Sequence, residues 1–543
     1  MRTDDAVAAS TKFPEIHPPL NDRQAFLESE RCLECGGPNA PAPCVAACPA
    51  DVDVPRFIRE IREGHAGAAG ETVFASNVLG GSCARVCPVD ELCEGACVMH
   101  REGRRPVEIG RLQRYATDHA LASLPSAPIA GRQLSVGVIG AGPAGLACAM
   151  GLAQSGYEVT VYEKRPLPGG LVTYAIAPYK QVVEPIPAEV ERVRRMGVDI
   201  KYGFEIGKDV TIPELQGRHE ALFIGAGMGA DTRANLPGED LEGVWESLPF
   251  IEQIKLSEPP KLGKKLAVIG GGNTAIDVVR EAIRLGVEEV TLIYRRSEEQ
   301  MPAFRHEVEA ARAEGVRFHF LTAPLRFLGE TSVTGIECLR MELGEPDSSG
   351  RPRPVAVPGS EFVVDVDTVV KAIGQRPRTE LLETLGVECK WGNVVVGPDM
   401  ATSVAGVFAG GDCINGGSTV VEAVAHGKAA AESIHAYLSG ETKAPVEKRP
   451  VRQVQEGPVD KHYQDTFYLG LTKTLCKGCL LCVQSCPTEI LYLDAKSKID
   501  VTDIDRCVFC GMCEARCPDF AIWISKNDAS NVIEEEALRR LSV

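Results

Sequence analysis

Twice in the middle of the chain a short apolar run breaks at a glycine-rich turn and passes into a longer segment with apolar residues at helical spacing. In the first, residues 136–139 predict a strand, Gly140-Ala141-Gly142-Pro143-Ala144-Gly145 a tight turn, residues 146–154 a helix and residues 157–162 a second strand. In the second, about 130 residues later, 266–269 predict a strand, Gly270-Gly271-Gly272-Asn273-Thr274-Ala275 the turn, a helix runs to about residue 285, and 290–294 form the next strand. Both obey βαβ order, so each predicts a Rossmann-like half. The uncharged run 134–153 has the length of a membrane span, but the glycines inside it mark a turn instead. From 440 to 461 the chain is polar and Pro-containing with no apolar period, which predicts an interdomain linker and an appended C-terminal module.

The glycines have separate tasks. The first permits the turn, the second lets backbone approach a pyrophosphate, and the third, or an Ala, lets helix and strand pack closely, with the anion resting on the helix N-terminus. The end of the following strand then separates the two sites. Glu163, followed by Lys164, suits the hydroxyls of an unphosphorylated ribose, as in FAD, whereas Arg295 and Arg296 suit a 2′-phosphate and favour NADP(H) over NAD(H). A solvated basic turn is the alternative for the arginines. The segment 406–412 predicts a strand ending at Gly411 and Asp412, the candidate ribityl contact. Beyond it Thr419 and Val420 open a helix whose positive end would face the flavin. The candidate NADP(H) residues are thus Gly270, Gly271, Gly272, Asn273, Thr274, Arg295 and Arg296, in a domain of residues 262–365 inserted into an FAD domain of 130–261 and 366–440.

Length and charge narrow the setting. At 543 residues, three or four domains are expected, and a hydrophobic fraction of 44% with 24% charged residues is that of a folded chain. A net charge of −17 argues against nucleic acid. The first ten residues lack the basic start and apolar run of a signal peptide, so a cytoplasmic location is expected.

Sixteen of the twenty cysteines fall in dense clusters, which points to metal ligation in a reducing compartment. The runs Cys476-x2-Cys479-x2-Cys482-x3-Cys486-Pro487 and Cys507-x2-Cys510-x2-Cys513-x3-Cys517-Pro518 have the spacing that wraps two 4Fe–4S clusters, with the fourth cysteine of each run ligating the other cluster. The expected sets are therefore Cys476, Cys479, Cys482 and Cys517, and Cys507, Cys510, Cys513 and Cys486. Zinc would need only four ligands and rarely uses this run twice. Near the N-terminus Cys32, Cys35, Cys44 and Cys48 precede Cys83, Cys87, Cys93 and Cys97 with irregular gaps, and spacing alone leaves their assignment open. Cys148, Cys338, Cys389 and Cys413 are isolated, and no CxxC lies near either dinucleotide turn, so disulfide redox chemistry is not expected.

Several motifs resemble one family. They are Arg31-Cys32-x2-Cys35-Gly36, Cys87-Pro88 with Cys93-Glu94-Gly95-x-Cys97, Val107-x-Ile109-Gly110, Gly169-Gly170-Leu171, Tyr294-Arg295-Arg296-Ser297 with Met301-Pro302-Ala303, and Ala409-Gly410-Gly411-Asp412. Over residues 31–430 the chain resembles the small subunit of bacterial glutamate synthase and the matching half of dihydropyrimidine dehydrogenase, and its tail extends the match in the manner of the latter. The resemblance implies FAD contacts at Gly170 and Leu171 beside those at Gly140, Gly142, Pro143, Ala144 and Gly145. It also implies one N-terminal cluster on Cys32, Cys35, Cys44 and Cys97, and another on Cys48, Cys87, Cys93 and Gln113, with Cys83 as the alternative to Gln113.

The implied fold is a multidomain α/β protein. A helical iron–sulfur domain over 1–125 precedes the two Rossmann-like domains in a glutathione-reductase-like arrangement, a linker over 441–460 follows, and an α+β ferredoxin-like domain occupies 461–543. The implied function is an NAD(P)H-dependent FAD/iron–sulfur electron-transfer subunit with four 4Fe–4S clusters. Its expected partner is a catalytic subunit such as a 2-oxoacid oxidoreductase or glutamate synthase-like enzyme, in a hetero-oligomer. The alternative is a free-standing NAD(P)H:ferredoxin oxidoreductase, with bifurcation conceivable alongside partners.

Overall fold

The computed structural model describes residues 13, 15–35, 41–102, 104–121, 131–346, 350–440, 460–463, 467–473, 476–518 and 521–526. The chain divides into two compact units. Described residues 13–18, 81–86, 131–346 and 350–440 belong to the first, and the remainder to the second.

Two parallel five-stranded sheets organise the first unit. One has the order Val407–Ala409, Ala221–Ile224, Ser135–Ile139, Glu158–Glu163, Asp199–Tyr202, with Ser135–Ile139 central. Its central strand is a continuous apolar run because helices cover both faces of such a sheet. The helix Pro143–Gln154, nearly all Ala, Gly and Leu, packs along the long helix Val420–Ser439. This contact is close enough that a Cβ on Gly427 would sit 2.2 Å from the Ala144 carbonyl oxygen. The carboxyl end of Val407–Ala409 and the start of the 420–439 helix are thereby held beside the first glycine turn.

The second sheet has the order Val244–Glu246, Thr368–Lys371, Lys265–Ile269, Glu289–Ile293, Arg317–His319. In sequence it lies wholly between strands Ala221–Ile224 and Val407–Ala409 of the first, so one domain interrupts the other. Its limits are wider than 262–365. Strands Val244–Glu246 and Thr368–Lys371 fall outside that span, and the first is too short to register as an apolar run. Between Thr322 and Asp365 an antiparallel four-stranded sheet extends the domain.

The second unit joins helices from the N-terminal region to the C-terminal cysteine runs. Asn21 and Gln24 form a capping box on helix Asp22–Ser29, and helices Val54–Arg62, Ala66–Ser76 and Ile109–Ala120 pack together. The C-terminal part has a three-stranded antiparallel sheet, Asp460–Tyr463, Phe467–Leu471 and Ile522–Lys526, a hairpin of Leu491–Leu493 and Ile499–Val501, and short helices Leu481–Ser485 and Met512–Arg516. Helix Leu481–Ser485 rests on the 3-10 turn Val98–Glu102. An independently appended ferredoxin module is thus corrected to one that packs with the N-terminal helices, a long-range contact that local periodicity does not encode. The expected linker, apart from Asp460, lies outside the described residues.

Candidate functional site

Each dinucleotide turn ends in a helix whose first residues are left open to an anion. Gly142 precedes helix Pro143–Gln154 in extended geometry with no side-chain cap, and Gly272 precedes Asn273–Arg284 in the same way. Gly145 makes the first turn possible, since a Cβ there would lie 1.9 Å from the Gly140 carbonyl oxygen. Pro143 and Ala144 begin the helix, and Gly170 comes against Gly142, with Leu171 opening the short helix behind it.

Glu163 is buried, and its two carboxylate oxygens accept N–H bonds from Ala141 (2.8 Å) and Arg165 (2.7 Å). It therefore ties the end of its strand to the glycine turn while keeping lone pairs for a ribose. Lys164 is not brought to this site; it pairs with Glu205 at the surface. Across the turn, Gly411 donates to His426 Nδ1 (3.2 Å) and Asp412 accepts the Ser418 N–H (3.2 Å). Burial pushes the Asp412 carboxyl above its usual range. Thr419 caps the helix that begins at Val420 by accepting the Glu422 N–H (3.3 Å). Sequence reasoning missed Arg378, whose Nε donates to the Ala226 carbonyl (2.9 Å) and whose guanidinium shares its surroundings with Glu163 and Arg165. The signal for it was Arg376-Pro377-Arg378 just after an apolar strand.

At the second turn Asn273 accepts the Phe304 N–H (2.9 Å) and Gly271 accepts that of Ala303 (3.2 Å). The Met301-Pro302-Ala303 motif is thus brought onto Gly270, Gly271 and Gly272, with Thr274 one residue into the helix. The two arginines part company. Arg295 is exposed at the strand end, whereas Arg296 is buried and its Nε donates to the Pro352 carbonyl (2.9 Å). Arg296 thus braces the neighbouring antiparallel sheet, and Arg295 is the one of the pair open to solvent.

The C-terminal thiols line two cavities. Cys476, Cys479, Cys482 and Cys517 line one, and Cys486, Cys507, Cys510 and Cys513 line the other, with mostly apolar side chains beside them. Burial, then the neighbouring thiols, push Cys507 up to about 12 and Cys482 to about 11. Such thiols ionise only against a compensating cation, and as thiolates they are the donors that the iron of a 4Fe–4S cluster takes. Among the described residues no three His, Cys, Asp or Glu side chains are gathered tightly enough for a single ion.

Near the N-terminus burial pushes up the thiols of Cys32, Cys35 and Cys44, the last to about 12, and Cys97 lies close enough to each to add to the shift. Cys35 also feels Cys510, so this quartet neighbours the cavity around Cys507, Cys510 and Cys513 in the same unit. Burial, then Glu94 and Cys48, hold Cys93 well above the usual thiol range. Gln113 is buried and its Nε2 donates to the Gly80 carbonyl (2.7 Å), so its Oε1 is the amide atom that a metal would take. Cys87 lies at the end of the same stretch, and Cys83 is buried.

Residues 134–427 match the family described as pyridine nucleotide-disulphide oxidoreductase. The chain belongs to that family. Residues 9–124 of this oxidoreductase match the dihydropyrimidine dehydrogenase domain II 4Fe–4S family, and residues 469–518 match a 4Fe–4S dicluster domain. It is 37% identical to the NADPH glutamate synthase small chain of Escherichia coli (strain K12) over 79% of this chain and 94% of that one. It is 40% identical to the beta subunit of the NADP(+)-dependent formate dehydrogenase of Moorella thermoacetica over 75% of this chain and 61% of the relative. A solved structure of Mycobacterium tuberculosis FprA in complex with NADPH aligns over 58% of this chain and 88% of that one at 20% identity, with a TM-score of 0.47. The oxidoreductase's Cys413 is buried, donates toward the Gly410 (3.3 Å) and Ile224 (3.5 Å) carbonyls, and is pushed by burial to about 12, so it is a packing thiol. No helix among the described residues is long and apolar enough to cross a membrane.

If Gln113 is the fourth ligand of the set with Cys48, Cys87 and Cys93, Gln113→Ala alters one cluster's EPR spectrum and lowers iron per chain, while Cys83→Ala changes neither. The reverse pattern assigns the position to Cys83.

Proposed function

We propose that the chain is an electron-transfer subunit that moves electrons between NADP(H) and a partner protein. Gly140, Gly142, Pro143, Ala144, Gly145, Glu163, Gly170, Leu171, Gly411, Asp412, Thr419 and Val420 would hold FAD. Gly270, Gly271, Gly272, Asn273, Thr274 and Arg295 would hold NADP(H), and the four thiol-rich sets would hold one 4Fe–4S cluster each. When bound, FAD supplies the exchange between two-electron hydride chemistry and the one-electron chemistry of the clusters. The chain's own part is placement. The open helix N-termini would take the two pyrophosphates, Asp412 and the start of the capped 420–439 helix would contact the flavin, and Arg295 would present a planar cation to a 2′-phosphate. The buried thiols release their protons when iron is bound.

The single observation that carries the reading is the gathering of eight C-terminal thiols into two cavities within the unit that also holds the Cys32, Cys35, Cys44 and Cys97 quartet. Such a unit is a path of closely spaced carriers. The relatives' names, a glutamate synthase small chain and a formate dehydrogenase beta subunit, support a catalytic partner on another chain. A free-standing NAD(P)H:ferredoxin oxidoreductase is the second reading. The exposed Cys479 with Leu480 and Leu481, 42% and 39% exposed, favours it as a face for a soluble carrier.

Two measurements follow. Purified from its native host, the chain is expected to elute in a stable hetero-oligomer with a catalytic oxidoreductase subunit; a monomer with full NADPH-to-ferredoxin turnover establishes the second reading instead. Arg295→Ala is expected to raise KM for NADPH about tenfold or more, the worth of a charge-assisted contact to phosphate, and to leave KM for NADH unchanged. An equal change for both nucleotides contradicts the 2′-phosphate role.

A further inference from the structure

The two C-terminal cavities differ in charge. The one around Cys486, Cys507, Cys510 and Cys513 is lined otherwise, among the described residues, by apolar side chains and Thr488. The one around Cys476, Cys479, Cys482 and Cys517 includes Lys477 in its wall. A second lysine reaches this cavity from outside: Lys498 Nζ donates to the carbonyl of Cys476. The next residue, Ile499, turns its N–H onto the Cys476 sulfur (3.4 Å), and the Gly478 N–H does the same (3.4 Å). Two consecutive residues of one hairpin therefore touch a single cysteine, at its carbonyl and at its sulfur.

The local sequence fixes that approach. In the turn between Leu491–Leu493 and Ile499–Val501, Asp494 Oδ1 accepts the N–H of Lys496 (2.8 Å) and of Lys498 (2.9 Å), while the Asp494 N–H donates to the Lys498 carbonyl (2.7 Å). The tip presses on the cysteine loop, so that a Cβ on Gly478 would stand 2.6 Å from the Ser497 carbonyl oxygen. Nearby Lys473 is neutralised by Asp500 (2.7 Å). Lys498 is held by the loop of the thiol set itself.

We propose that Lys498 raises the reduction potential of the cluster on Cys476, Cys479, Cys482 and Cys517 above that of its neighbour on Cys486, Cys507, Cys510 and Cys513. This rests on the reading that each set holds a 4Fe–4S cluster. Reduction adds one negative charge inside an apolar cavity, and a cation fixed at the rim stabilises the reduced form more strongly there than in water. Electrons collect at the set that includes the exposed Cys479, which makes it the port of the chain.

The test is an anaerobic, EPR-monitored redox titration of the full chain with its clusters, with iron measured per chain. In Lys498→Gln one C-terminal midpoint is expected to fall so that its reduced-to-oxidised ratio at fixed potential drops about tenfold, or ~59 mV for a one-electron couple. Lys498→Arg and Lys496→Gln, the latter on the exposed side of the same turn, keep the parent midpoints. Unchanged midpoints in Lys498→Gln, or an equal shift in Lys496→Gln, overturn the proposal. A second variant keeps the test decisive even where Lys498→Gln loses iron: Cys479→Ser must perturb the higher-potential C-terminal signal, and perturbation of the lower one overturns the proposal. Absence of C-terminal cluster signals from the parent protein refutes the cluster reading itself.

Discussion

Thiols buried beside other thiols cannot ionise unaided, and the second unit of this protein depends on that constraint. Burial and mutual repulsion both favour the protonated form, so the chain gathers acids that give up their protons only to a bound cation. The surrounding elements serve this arrangement. Tight turns at Gly478 and Gly511, both at positive φ, let three cysteines of each run converge, and the 481–485 helix carries Cys482 of one cavity and ends at Cys486 of the other.

The first unit solves a different problem with related means. It must bring two large cofactors to defined places, and it does so with backbone rather than with titratable side chains. Helix N-termini at Gly142 and Gly272 provide anion sites, and close packing of the 143–154 and 420–439 helices ties two distant stretches of sequence to one turn. Charged side chains act mainly as braces here. Glu163 holds its own turn, Arg296 holds a carbonyl of the adjoining sheet, and Lys255 is buried with its ammonium on the carbonyls of Val172 (2.8 Å) and Ile176 (2.9 Å).

Both βαβ units were legible in the sequence because a buried parallel strand, a glycine turn and an amphipathic helix are local patterns. The pairing of Cys517 with the first run and Cys486 with the second was legible from spacing, and the structure places those side chains in common cavities. What escaped has a common cause in distance along the chain. The strand Val244–Glu246 is recognisable only through its pairing with Thr368–Lys371. The burial of Arg296 depends on Pro352, and the packing of the C-terminal helices on the Val98–Glu102 turn depends on a fold that no local period announces. Arg295 and Arg296 look alike as neighbours in sequence, yet a strand end turns one to solvent and the other inward.

If this chain joins a pyridine-nucleotide site to its own iron–sulfur sets, electrons from NADPH reach the clusters without a carrier. Anaerobic titration of the full chain with NADPH, followed at once by flavin absorbance and low-temperature EPR, tests it most directly. Signals of reduced 4Fe–4S clusters are expected to grow as the flavin band is reoxidised by internal transfer, with no added carrier. A flavin that stays fully reduced while every cluster remains oxidised, at potentials where dithionite reduces those clusters and the NADPH couple is low enough to do so, would contradict it.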